Sequence, residues 1–168
     1  MNQETLNDIL QRNISLFEGC GVAYQQWQHE PILDFTTDEE VGKRLGWTAT
    51  PTKSLFLKFK SGEHALLLTH KEARLDSKKI KAAVGKRSSI ASDDEMIREL
   101  GCVPGAVCPF GIPTSIPLLI DEALFGFESL MYTPGPPNYT FAFSAKDLPV
   151  LLSALANPIY ILRETIAQ

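Results

Sequence analysis

A chain of 168 residues, 44% hydrophobic and 21% charged with a net charge of -4, fits one compact domain spanning residues 1–168 and excludes a disordered or multi-domain protein. The opening MNQETLNDIL lacks the basic head and apolar run of a secretion signal, and no apolar stretch approaches the roughly 20 residues that cross a bilayer, so a cytoplasmic location without a membrane partner is expected. Three cysteines, Cys20, Cys102 and Cys108, are an odd number without framework spacing, which suits a reducing compartment rather than a disulfide scaffold.

The charge is unevenly spread. From Lys53 to Arg87 ten basic residues face three acids, a local balance of +7 that leaves -11 for the remainder. Two readings stand: a solvated helix face, or one face that meets a polyanion while the rest repels it.

In chain order, Leu6, Ile9, Leu10, Ile14 and Phe17 recur at helical spacing, with Gly19 and Gly21 as left-handed stops, and predict an amphipathic first helix. A short strand follows from Val22 to Trp27. Thr37-x-x-Glu40 reads as a capping box for a second helix carrying Val41 and Leu45 and ended by Gly46. Lys53 to Lys60 alternates, Ser61-Gly62 turns, and Glu63 to Thr69 returns, which is the clearest hairpin in the chain. Asp76 or Ser77 caps a basic helix with Ile80 and Val84, closed by Gly85. Ser92-x-x-Glu95 caps another, with Met96, Ile97 and Leu100 as its buried stripe and Gly101 at its end. Strands are expected at Ile116 to Ile120, Glu128 to Thr133 and Tyr139 to Phe143, with the turn PGPPN (134–138) before the last. Ser144-x-x-Asp147 caps a final helix bearing Leu148, Leu151, Leu152 and Leu155. Hairpins and helices without regular βα alternation give the fold class: α+β, a single domain with a mixed, mostly antiparallel sheet packed with helices.

The run GCVPGAVCPFG (101–111) falls in the loop between a helix and a strand. It holds no acid, base or histidine, so its use lies in its backbone. His29, His64 and His70 are scattered, HExxH is absent and Cys102-x5-Cys108 is not a zinc spacing, so neither a metal nor another cofactor is expected. GxSxG is absent too, while a cysteine nucleophile at 102 or 108 paired with a distant histidine stays open. No Walker loop occurs, and the glycines do not follow a strand as a dinucleotide fingerprint requires. Lys53 shares strand parity with Leu55, Leu57 and Phe59. Either it is a cation at the rim of a pocket, anchoring a phosphate or a carbonyl, or it opens the strand and snorkels to water.

The order His29-Glu30-Pro31, Thr52-Lys53-Ser54-Leu55-Phe56-Leu57, Gly105-Ala106-Val107-Cys108-Pro109-Phe110-Gly111 and Leu118-Leu119-Ile120-Asp121 resembles the YbaK/prolyl-tRNA synthetase-associated editing domains, from about Leu6 to Leu162. The resemblance implies a free-standing aminoacyl-tRNA deacylase that hydrolyses the ester of a mischarged tRNA, commonly alanine or cysteine on the proline tRNA, with prolyl-tRNA synthetase as a possible partner. It makes Lys53 and Gly105 the catalytic candidates, Lys53 holding the terminal adenosine phosphate or the aminoacyl end. Gly105 would let the amides of the GxxxP loop reach the ester carbonyl, and Pro109 would hold the loop's shape. Ala106, Val107, Cys108, Pro109, Phe110 and His29 would bind substrate, with the attacking water oriented by the substrate's ribose hydroxyl or side chain. Lys71, Arg74, Lys78, Lys79 and Lys81 would contact tRNA phosphates. Two departures stand out: Met131-Tyr132-Thr133-Pro134-Gly135 replaces the Phe-His-Pro of alanine-specific members, and Cys108 replaces the usual threonine or serine. The rival readings are a non-catalytic tRNA- or synthetase-binding module of the same fold and a cysteine-dependent hydrolase.

Overall fold

Helices and strands begin and end largely where their caps place them. A computed structural model describes residues 3–163; residues 1–2 and 164–168 of the predicted domain lie outside the described residues. Helix α1 (Gln3–Cys20) is followed by β1 (Tyr24–Gln28), α2 (Phe35–Leu45), β2 (Thr50–Phe59), β3 (His64–His70), α3 (Ser77–Val84), β4 (Ser88–Ile90) and α4 (Asp93–Leu100). After a long loop come β5 (Leu118–Asp121), β6 (Ser129–Tyr132), β7 (Tyr139–Ser144), α5 (Leu148–Ala154) and β8 (Ile159–Leu162), with 3-10 turns at Glu122–Gly126 and Ala145–Asp147.

Asp76 caps α3 by accepting from the amides of Lys78 and Lys79, and Ser92 Oγ caps α4 by accepting from Glu95. Each such cap is worth about 1 kcal/mol. Gly46, Gly85 and Gly101 close α2, α3 and α4 in left-handed backbone, as their spacing predicts. Helix α2 departs from expectation. Its cap is Asp34, which accepts from Thr37, so the helix begins two residues before the predicted box and brings Phe35 into its first turn. Ser144 makes no side-chain cap; a 3-10 turn and Pro149 in the first turn of α5 do the work of starting that helix.

The strands form one mixed sheet in the order β1-β7-β6-β2-β3-β5-β8, with β4 pairing β2. Four ladders are antiparallel, and three (β2 with β6, β3 with β5, β5 with β8) are parallel. Both faces of its centre are covered, which is why β3 reads as a continuous apolar run. Leu66 and Leu68 point into the larger core with Phe17, Phe110, Phe141 and the buried sides of α1, α4 and α5, whereas Ala65, Leu67 and Leu119 meet Leu57, Phe59 and Ile80 of α3 on the other side. No helix among the described residues is long and apolar enough to cross a membrane.

Candidate active site

Strand β2 is paired with β3 along its length, but its other edge is shared. At its start Thr50 and Pro51 pair with β6, and at its end Leu57 to Phe59 pair with β4. Between these two short ladders the sheet opens, and a cavity of about 510 Å³ fills the opening, within the size range of small-ligand sites. Residues 51–56 of β2 form one wall, Pro104 to Val107 another, Leu33 to Phe35 and Asp38 of the α2 region a third, and Met131 to Thr133 with Thr140 the fourth.

The loop wall owes its shape to Gly105, whose φ is +86°. A Cβ there would stand 2.4 Å from the carbonyl oxygen of Leu33, so glycine is required twice over, by the dihedral and by the contact. The Ala106 amide donates to Val103 O at 2.8 Å and closes a tight bend. The amides of Gly105 and Val107 have no hydrogen-bond partner among the described residues. Two unpaired donors beside a cavity are what the stabilisation of an oxyanion requires, with no reactive side chain.

Behind this bend, Cys108, Pro109 and Phe110 are buried, and none of them lines the cavity. The resemblance implies that they bind substrate; in the structure the chain turns inward after Val107 and their side chains fill core space. Cys108 Sγ donates to Phe110 O at 3.1 Å, and burial pushes its thiol well above the ordinary range. Burial likewise raises the thiol of Cys102. Neither is a nucleophile in this state. Asn13, wholly buried on α1, anchors the loop by donating to Phe110 O at 2.9 Å.

Lys53 lines the cavity. Its cross-strand partner is Thr69, so its side chain leaves the sheet on the α3 side, and Nζ donates to Ala73 O at 2.5 Å. The bond fixes the ammonium at the margin between the cavity and the β3–α3 segment. Lys71, expected on an open phosphate-binding face, is instead 13% exposed at the cavity wall. Its ammonium lies 3.6 Å from both Asp38 and Glu39 and 5.0 Å from the centre of the Phe35 ring. Burial raises the Asp38 carboxyl above its usual range even though the Lys71 ammonium beside it acts the other way. Arg74 and Lys79 line a separate hollow of about 190 Å³, while Lys78 and Lys81 stand exposed on α3. His29 does not line the cavity; it stands behind it, with Nε2 2.8 Å from Thr140 Oγ1 and Nδ1 2.7 Å from Glu30 O.

Asp38, Phe35 and Tyr132 escaped sequence reasoning as cavity residues. For the first two a signal existed: Asp34 is a good helix cap, and starting α2 there puts Phe35 and Asp38 three residues apart on one face.

The profile of the aminoacyl-tRNA editing domain matches residues 34–151, a span that contains both Lys53 and the Gly105 loop. The chain belongs to that family. It is 26% identical over 156 residues to the prolyl-tRNA editing protein ProX of Acetoanaerobium sticklandii, covering 89% of this chain and 94% of that protein. It is 29% identical over 131 residues to the multifunctional Ser/Thr-tRNA deacylase ProXp-y of Escherichia coli, covering 74% of this chain and 77% of that one. A crystal structure of a candidate trans-editing enzyme for prolyl tRNA synthetase superposes with a TM-score of 0.71 at 24% identity, over 94% of this chain and 98% of that one, which shows the shared fold. The editing domain is thus an aminoacyl-tRNA hydrolase by family, as the sequence motifs implied.

Proposed function

We propose that this chain is a free-standing deacylase that cleaves the ester joining a small amino acid, alanine or cysteine, to the proline tRNA. The observation that supports it best is the meeting of Lys53 with the two unpaired amides of Gly105 and Val107 at one cavity. In this reading the aminoacyl end enters the opening in the sheet, and its carbonyl oxygen turns toward those amides. As the attacking water adds, the developing oxyanion gains hydrogen bonds whose individual worth in other hydrolases is about 3 to 4 kcal/mol. Lys53 anchors the terminal phosphate or the aminoacyl end from the cavity's margin. Water is positioned by the substrate's own ribose hydroxyl, since no histidine lines the cavity and the buried thiols are held neutral. The exposed Lys78 and Lys81 of α3 supply sequence-independent attraction to tRNA phosphates, and prolyl-tRNA synthetase is the partner that would release the mischarged tRNA to this domain.

A second reading of the substrate has its own observation. Ser54 and Thr133 line the cavity with hydroxyls that have no partner among the described residues, and such groups would recognise the hydroxyl of serine or threonine. A panel of tRNAs mischarged with alanine, cysteine, serine and threonine separates the two. Fastest release of alanine or cysteine from the proline tRNA is the expected result; hydrolysis confined to serine and threonine esters replaces the first reading with the second, and binding without hydrolysis of any ester reduces the domain to a tRNA-binding module.

A further inference from the structure

The opening in the sheet is narrow, and the ladders on either side of it say which backbone groups it exposes. Along a strand the main-chain N-H and C=O of one residue point to one side and those of the next residue to the other. On the β3 side, Pro51 O accepts from the Lys71 amide at 2.9 Å and the Phe59 amide donates to Glu63 O at 2.9 Å. On the opposite side, Phe56 O accepts from the Ala91 amide at 2.9 Å. Odd-numbered residues of β2 therefore serve β3, and even-numbered ones face the open edge. The β6 ladder ends at Pro51, with the Thr52 hydroxyl also bonded to Met131 O at 2.8 Å, and the β4 ladder begins at Leu57. One residue between them, Ser54, turns its N-H and C=O into the cavity with no strand opposite.

A strand edge left open for one residue is a template for one residue of extended chain. We propose that the aminoacyl group of the substrate pairs with Ser54 as a single added β residue: its α-ammonium donates to Ser54 O, and its ester carbonyl accepts from the Ser54 N-H. The inference rests on the deacylase reading and deepens it. The pairing aims the carbonyl before reaction, and the Gly105 and Val107 amides then meet the oxyanion as it forms. The charges around the cavity agree with this polarity. Three carboxylates, Asp34, Asp38 and Asp93, line it against the two ammoniums of Lys53 and Lys71; Asp34 caps α2 and Asp38 faces Lys71, which leaves Asp93 as the carboxylate without a cation beside it among the described residues. An ammonium makes a charge-assisted bond to Ser54 O that an acylated nitrogen cannot match, so the substrate class is esters with a free α-ammonium rather than N-blocked or peptidyl esters.

The test uses the full chain with two probes: mischarged tRNA for hydrolysis, and adenosine carrying the same amino acid through a 3′-amide, which resists hydrolysis, for binding. Ser54→Pro deletes the edge N-H without touching the β3 ladder, and Ser54→Ala deletes only the hydroxyl. Ser54→Pro is expected to lower deacylation by roughly 100-fold, the loss typical of removing one donor, and to weaken the amide probe, with Ser54→Ala, which keeps the N-H, losing clearly less than Ser54→Pro in both readouts. N-acetylation of either probe is expected to cost the parent protein a loss of similar size, an arm that needs no variant to fold. Parental behaviour of Ser54→Pro, equal damage from Ser54→Ala, or indifference to N-acetylation overturns the pairing. Binding of the amide probe that depends on Ser54 and on the free amine, without hydrolysis of any ester, upholds the pairing and overturns the deacylase reading instead.

Discussion

The hydroxyl of Tyr132 donates to Oδ1 of Asn13 at 2.6 Å, joining a cavity-lining residue of β6 to the wholly buried amide that holds the Gly105 loop through Phe110 O. One side chain from α1 thus fixes two walls of the site. Asn13→Ala leaves the Tyr132 hydroxyl buried without its partner and the Phe110 carbonyl with the Cys108 thiol as its one remaining donor among the described residues, a loss expected at roughly 2 to 4 kcal/mol. Tyr132→Phe removes only one bond and is expected to cost about 1 kcal/mol. Urea unfolding of both variants checks the ranking; equal stability of Asn13→Ala and parent would show that the loop is held by something else.

Lys53 contributes little to folding and much to turnover in this account. Its single side-chain bond among the described residues is to Ala73 O at the cavity margin, so Lys53→Ala is expected to unfold within about 1 kcal/mol of the parent. Its deacylation rate is expected to fall by roughly 100-fold, with partial recovery in Lys53→Arg. The two readouts are independent, and a variant that unfolds early would show a structural lysine instead.

Gly105 tests strain rather than chemistry. With φ at +86° and the Leu33 carbonyl 2.4 Å from an added Cβ, Gly105→Ala must move the bend or the segment before α2. A loss of roughly 2 to 4 kcal/mol is expected from the dihedral and the clash together. Loss of activity in this variant is therefore not by itself a sign of a blocked ester; thermal unfolding alongside the rate tells the two apart.

Much of the scaffold was legible in the sequence because its signals are local. Asp76, Ser92, Gly46, Gly85 and Gly101 mark helix ends by their own backbone requirements, and Ser61-Gly62 sets the β2–β3 hairpin. Strands β4 and β8 escaped because three or four residues carry no periodicity of their own; β4 exists through β2, and β8 through its parallel pairing with β5. The site was half legible. Lys53 and Gly105 could be found from motif and dihedral demand. That Cys108 to Phe110 turn inward, that Lys71 lies beside Asp38 and Glu39, and that Ser54 faces a break between two ladders are all consequences of distant segments meeting. Glu95 shows the limit of a local pattern: its amide donates to the Ser92 cap, while its carboxylate, 3.4 Å from Ser92 Oγ, makes its shorter bonds to His64 and Lys58.

That carboxylate also sets a pH dependence. Hydrogen bonds from His64 and then Lys58 hold Glu95 down at about 2, against an ordinary value of about 4.3. A lowered folded value means stabilisation that is complete above the unfolded value and is lost as pH falls through the folded one. Stability is expected to drop between roughly pH 4.5 and 2, and Glu95→Gln to flatten that slope. Unfolding midpoints across this window check it; an unchanged slope in the variant would show that the carboxylate gains nothing from His64 and Lys58.

The thiols give a contrast with cysteine chemistry. Cys102 and Cys108 are buried and Cys20 is half-buried, so iodoacetamide at pH 8 is expected to modify Cys20 alone in the native protein and to leave the rate unchanged. Mass mapping of the alkylated chain checks this; rapid labelling of Cys108 with loss of activity would restore a cysteine nucleophile.

The central claim is that an ester is cleaved by main-chain donors and one anchoring ammonium, without a side-chain nucleophile or base. Single-turnover deacylation of alanyl and cysteinyl proline tRNA by the parent, by Lys53→Ala and by a Cys102→Ser, Cys108→Ser double variant tests it most directly. The account predicts rapid release by the parent, near-parental release by the double serine variant and roughly 100-fold slower release by Lys53→Ala. Release that survives loss of Lys53 but vanishes with the cysteines would contradict it.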